Sequence, residues 1–210
     1  MIDRAVLKSR AKEQIKGNIP FLILCMLLIG VIVGGLTAII PILGGIASFV
    51  VTPVLSIGII KIFLGLAQGE KPSIEKLFSA LPIFLKAFLL QIITSVIVGL
   101  WSLLLFVPGI IKALSYMFAP FILAENHDVE VMDALKMSKK MTDGQKGKLA
   151  LLILSFFPWM LLVTVTFGIA IIYVAPYMEM TITNAYNELK YAAGIETADS
   201  GYVQDGGNSN

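Results

Sequence analysis

At 210 residues, with 57% hydrophobic and 14% charged residues and a mean hydropathy of +0.87, this chain sits far from ordinary soluble domains, which run roughly 45–50% apolar and 25% charged. That composition excludes a water-soluble enzyme and leaves no length, beside the apolar segments, for a separate catalytic domain of about 50–200 residues. The net charge of +2 is too small to point to nucleic acid, and the lone Cys25 excludes an intramolecular disulfide or a multi-cysteine metal site.

The chain opens on Arg4, Lys8, Arg10, Lys12 and Lys16, ahead of its first apolar run. Within residues 1–18, Leu7, Ala11 and Ile15 recur every four residues while Arg4, Lys8, Lys12 and Lys16 line a neighbouring face. This pattern reads as an amphipathic helix on the membrane surface, its basic side on anionic lipid head groups. The alternative is a plain topogenic signal with a docked helix. The apolar stretch that follows far exceeds the ~7–15 residues of a secretory signal, so retention is expected.

From Gly17 to Ile60 there is no Asp, Glu, Lys or Arg, and Pro41 to Gly45 interrupts the run. About 20 apolar residues cross a bilayer core, so this stretch holds two spans and a tight turn. Cys25, inside the first span, reads as a small buried filler. Gly30 and Gly34 fit the small-xxx-small pattern of closely packed membrane helices.

Further along, charge spacing and breakers place spans at 81–105, 109–124, 149–167 and 169–190, after 19–40 and 46–66. The fourth is short, and the sixth carries Glu179, Asn184, Asn187 and Glu188, so it can lie partly at the interface. Pro53, Pro82, Pro108, Pro120, Pro158 and Pro176 fall in or near spans and predict bent or broken helices. Between spans four and five, residues 128–141 predict a second interfacial helix, with Asp128 as cap and Val131, Met132 and Leu135 as its apolar patch. Residues 191–210 are polar and aperiodic and predict a disordered tail after a single domain over 1–190.

Orientation follows from the lysines and arginines. All of them except Lys112 fall in residues 1–18, 67–80, 125–148 or at the adjoining ends of spans. The positive-inside rule then puts both termini in the cytoplasm. The expected fold is all-α, a polytopic bundle of about six transmembrane helices in three hairpins, with cytoplasmic interfacial helices. Gly58 to Lys61 and Gly109 to Lys112 share the sequence Gly-Ile-Ile-Lys, which is too short to establish a threefold hairpin repeat.

Ionisable and polar residues inside spans are costly, which makes each a candidate site. Lys61 and Lys86 lie near span ends and read as interface anchors. Lys112 either snorkels outward or pairs with an acid in the bundle, and Glu179 is the acid at matching depth. Gln91, with Ser95 one turn on, and Asn184, with Asn187, read as interhelical glue or as substrate-binding groups. The candidate polar site is therefore Lys112, Glu179, Gln91 and Asn184. His127, the single histidine, reads as a loop residue, and no metal or cofactor is implied. Gly-Lys-Ser/Thr, HExxH and GxSxG motifs are absent, so no catalytic residue is assigned.

Three stretches carry a family resemblance. They are Arg4-x-x-Leu7-Lys8-x-x-Ala11-Lys12-x-x-Ile15-Lys16-Gly17-Asn18, the block from Pro108 to Asn126, and Ser138-Lys-Lys-Met141-x-x-Gly144-x-Lys146. Over residues 2 to 190 the chain resembles the bacterial integral-membrane family labelled "domain of unknown function 975". It is distantly similar to the membrane domain beside some glycerophosphodiester phosphodiesterases. The resemblance implies a multi-pass protein of a bacterial plasma membrane and supplies no catalytic residues. The expected role is a non-enzymatic component of envelope assembly, protection or immunity. Membrane lipids are its expected partners, with a membrane protein or a second copy as further candidates. The alternative is a small transporter or translocator of a lipid-like or peptide substrate, which a cavity lined by Lys112, Gln91 and Asn184 would favour. An intramembrane lipid enzyme is the third reading.

Overall fold

The computed structural model describes residues 3–39, 41–104 and 106–195; the predicted tail from 196 onward lies outside the described residues. Among the described residues the chain is all α-helical, a helical membrane bundle without strands.

Helix α1 (Arg4–Ile15) starts where the Asp3 carboxylate accepts a hydrogen bond from the Ala5 amide at 2.9 Å. It ends at Gly17, whose φ of +90° is the left-handed conformation that turns the chain into the next helix. Helices α2 (Ile19–Ile39) and α3 (Pro41–Ala67) form the first hairpin, and Pro41 to Gly45, expected as its turn, belong to the start of α3. Inside α3, Pro53 removes one backbone donor, and the Ser56 hydroxyl donates to the Pro53 carbonyl at 2.8 Å. A short helix α4 (Glu75–Phe78) packs on α3 where Gly58 meets the Leu77 backbone; a methyl group there would overlap the Leu77 carbonyl.

Helices α5 (Phe84–Leu104) and α6 (Phe106–Tyr116) form the second hairpin, closely packed where Gly109 meets Ser102. The predicted fourth span then breaks before Pro120 and resumes as α7 (Ala119–Glu125). Helix α8 (Val131–Thr142) seals the break: Ser138 Oγ accepts from the Phe118 amide at 3.2 Å and donates to the Ser115 carbonyl at 2.8 Å. Helices α9 (Lys146–Leu154) and α10 (Phe157–Val165) share one apolar stretch, broken before Pro158. Helix α11 (Ile171–Ala192) returns from Phe167 and Gly168, both at positive φ.

Burial divides the bundle in two. One end is densely packed around Phe63, Leu77, Phe118, Ile122 and Leu123, and Tyr186 tilts against Phe118 and Phe121. Towards the hairpin turns the helices present Leu103, Leu104, Val107, Val165 and Phe167 outward, an arrangement that only an apolar surrounding stabilises. Among the described residues five helical stretches are long and apolar enough to cross a membrane: Ile19–Ala38, Ala47–Ala67, Glu75–Leu104, Val107–Glu125 and Lys146–Val165.

The sequence expectation differs from this picture at several points. Helix α11 has the length of a sixth span without the apolarity, because it holds Glu179, Glu188 and Lys190 and buries much of its surface among other helices. The stripe Leu7, Ala11 and Ile15 is fully buried, and α1 packs along α11, so protein rather than lipid covers it. Helix α8 starts at Val131, after Glu130, and Asp128 does not cap it. Its Val131 and Leu135 are buried against α6 and α7, while Met132 faces out. Gly30 and Gly34 have open space at the Cβ position, and the glycines pressed against neighbouring backbone are Gly44, Gly58 and Gly109.

Candidate functional site

A groove of about 300 Å³ opens between α3, α5 and the α6–α7 break, distinct from a concavity of about 350 Å³ beside Arg4, Lys8 and Ser155. Its walls are Pro53, Ser56 and Ile57 from α3, a face of α5 from Ala87 to Val98, and Ala113, Tyr116, Met117 and Pro120. All of these lie inside three of the membrane-crossing stretches. The groove exists because Pro53 and Pro120 prevent straight, fully packed helices on either side of α5.

Its polar groups are uncharged. Gln91 Nε2 donates to Ser95 Oγ at 3.0 Å, which leaves the Gln91 carbonyl oxygen to accept from elsewhere. Thr94 and Tyr116 line the same space, and no hydrogen bond within the described residues engages either hydroxyl. Unsatisfied polar groups facing an apolar medium are costly, so such a constellation favours a hydrogen-bonding occupant.

A second polar cluster is buried in the packed end. Lys190 Nζ lies 2.7 Å from Glu125 Oε2, and the Tyr186 hydroxyl donates to the same oxygen at 2.8 Å. The lysine and glutamate side chains are only 10% and 9% exposed, so this pair ties α11 to α7 in a protected setting. Lys86 draws in the loop after α7, donating to the carbonyls of His127, Asp128 and Val129 at 3.0–3.3 Å. His127 keeps a buried Nε2 without a partner. Burial, with Lys61 and Lys86 nearby, holds its pKa below the usual imidazole value against the smaller opposing pull of Asp128.

The four residues expected to form one polar site are dispersed. Gln91 lines the groove. Lys112 instead places its ammonium 4.9 Å from the Trp101 ring centroid on the neighbouring arm of its hairpin, a cation–π contact. No ion pair joins it to Glu179 among the described residues. Glu179 lies on α11, whose packing neighbours include α1, α2, α3, α8 and α10, whereas α6 packs on α5, α8 and α9. Asn184 is buried between α11 and α1, donating to the Gln14 side chain at 2.7 Å. Of the expected head-group contacts, Arg4, Lys12 and Lys16 are exposed. Lys8 is turned inward, donating to the Ser155 carbonyl at 3.0 Å with its ammonium over the Phe156 ring. Burial and then Arg4 lower its pKa from the ordinary lysine value.

Thr94, Tyr116 and Ser56 complete the groove and were not singled out by sequence reasoning. Ser95 and Gln91 at one-turn spacing gave the only signal, and Pro53 and Pro120 marked the flanking bends. No curated protein and no solved structure matches the chain. The likeness to membrane domains beside glycerophosphodiester phosphodiesterases finds no support among the comparisons. The profile of one family, described as "Protein of unknown function (DUF975)", matches residues 1–119 and again 103–193. With nearly the whole described chain covered by that profile, the protein belongs to the DUF975 family.

Proposed function

We propose that this chain is a non-enzymatic, multi-pass component of a bacterial plasma membrane, with both termini in the cytoplasm, and that it serves envelope assembly or protection by binding an amphipathic membrane molecule. The observation that carries this reading is the groove between α3, α5 and α6, with its open hydrogen-bonding groups inside membrane-crossing stretches. The distribution of lysine and arginine supports the orientation. The absence of a recognisable acid–base pair in the groove agrees with binding rather than chemistry.

Native mass spectrometry of the full chain, extracted with its surrounding lipid, tests the reading. A stoichiometric bound species that disappears in Gln91→Leu, with the melting temperature retained, is the expected result. Loss of nothing on that substitution, or no bound species at all, would overturn it.

A second reading, a translocator of a lipid-like or peptide substrate, draws on the broken α6–α7 and α9–α10 helices and on Pro53 beside the groove, since interrupted helices frame binding sites in transporters. Its mark would be movement of a fluorescent lipid between leaflets in reconstituted vesicles, abolished by filling the groove with Ala113→Trp.

A further inference from the structure

We infer that the occupant of the groove is a neutral membrane lipid bearing a free hydroxyl, and that the site discriminates against anionic phospholipids. This rests on the binding role proposed above and specifies its ligand.

Charge supplies the first part of the argument. Ser56, Gln91, Thr94, Ser95 and Tyr116 provide the polar lining, and no charged side chain contributes to it. The flanking cations are already engaged, Lys112 by the Trp101 ring and Lys86 by the carbonyls after α7 and by Glu130 at 3.4 Å. A phosphate entering the groove would shed water without meeting a countercharge, a penalty that a neutral head group avoids.

Hydrogen-bond inventory supplies the second. The Ser56 hydroxyl is spent on the Pro53 carbonyl and one Gln91 amide hydrogen on Ser95. The Gln91 carbonyl oxygen remains as an acceptor, and the Thr94 and Tyr116 hydroxyls each remain as donor and acceptor. A free hydroxyl, which can donate to the Gln91 oxygen and accept from Thr94 or Tyr116, answers this mixture, whereas a group that only accepts leaves the Gln91 oxygen unpaired.

Size supplies the third. The groove's 300 Å³ equals about ten waters at roughly 30 Å³ each, enough for a small head group and too little for acyl chains. The acyl chains then lie outside the groove, in the apolar surrounding that the exposed side chains of α5 and α6 face.

The test uses the full chain reconstituted in phosphatidylcholine vesicles with two photoactivatable probes of identical acyl chains, one diacylglycerol and one phosphatidate. The diacylglycerol probe is expected to label peptides of α3, α5 and α6 in preference to phosphatidate. The double variant Thr94→Val, Tyr116→Phe should lower that labelling about tenfold, as the loss of one or two net hydrogen bonds implies. Ala113→Trp, at an exposed position that leaves the packed end untouched, should block it without affecting the fold. Equal labelling by both probes, or preference for phosphatidate, overturns the ligand assignment and leaves the groove as a site. Labelling by neither probe, with a protein segment captured instead, overturns it in favour of a partner helix. Failure of any species to respond to Ala113→Trp removes the groove itself and the binding role with it.

Discussion

At the scale of single residues, the Glu125–Lys190 pair is the interaction with the most at stake. Both groups are nearly buried, so removing one leaves an uncompensated charge. Glu125→Gln or Lys190→Met should each destabilise the bundle by about 3–5 kcal/mol, and the double replacement by less, as read from thermal unfolding in a fixed detergent. Tyr186→Phe, which deletes the hydrogen bond to the same carboxylate, should cost about 1.5–3 kcal/mol. His127 sets a pH dependence of definite sign. Its pKa is depressed in the folded protein, so the unfolded chain binds the proton more readily and stability falls as pH drops below about 6.5. Melting temperature should therefore decline between pH 7 and pH 5, and His127→Asn should flatten that slope. The sequence exposed both members of the ion pair as charges at the ends of apolar segments. Their pairing across 65 positions is a tertiary fact that no local pattern encodes.

At the scale of elements, the break between α6 and α7 and the helix that seals it form one unit. Ser138 satisfies both a freed amide and a freed carbonyl at the break. Ser138→Ala should cost about 1–3 kcal/mol by leaving those buried groups unpaired. Hydrogen exchange should rise selectively at Phe118 rather than across α8. The prolines made this break legible in advance, because the donor missing at Pro120 has only a few structural outcomes. Helix α1 was legible only as an amphipathic helix. A stripe of Leu7, Ala11 and Ile15 suits a lipid surface and a neighbouring helix equally well, and the choice of α11 depends on where the rest of the chain puts its last helix. Ala11→Leu distinguishes the two environments: against packed α11 it should cost about 1–3 kcal/mol through overpacking, while against lipid it would be neutral.

At the scale of the whole molecule, hydropathy gave the helical membrane class and the hairpin order, because lipid imposes the same backbone rule on every crossing segment. The groove was less legible, since its lining comes from three separate stretches and, of its polar groups, only Gln91 and Ser95 were flagged. The proposed orientation makes a labelling prediction that the buried Cys25 keeps free of background. Phe167→Cys, at a position 98% exposed, should react with an impermeant maleimide from outside intact cells, whereas Lys139→Cys should react only after permeabilisation. The reverse pattern would invert the topology. The contact between α1 and α11 also sets a timetable for synthesis. Gln14 meets Asn184 across 170 positions, so at about 5–20 residues per second the first helix waits roughly 10–35 s for its partner to emerge. Through that interval Leu7, Ala11 and Ile15 are without the helix that buries them in the folded chain. The first helix made is thus the one that waits longest for its partner, and a chain cut short before α11 leaves its apolar stripe uncovered.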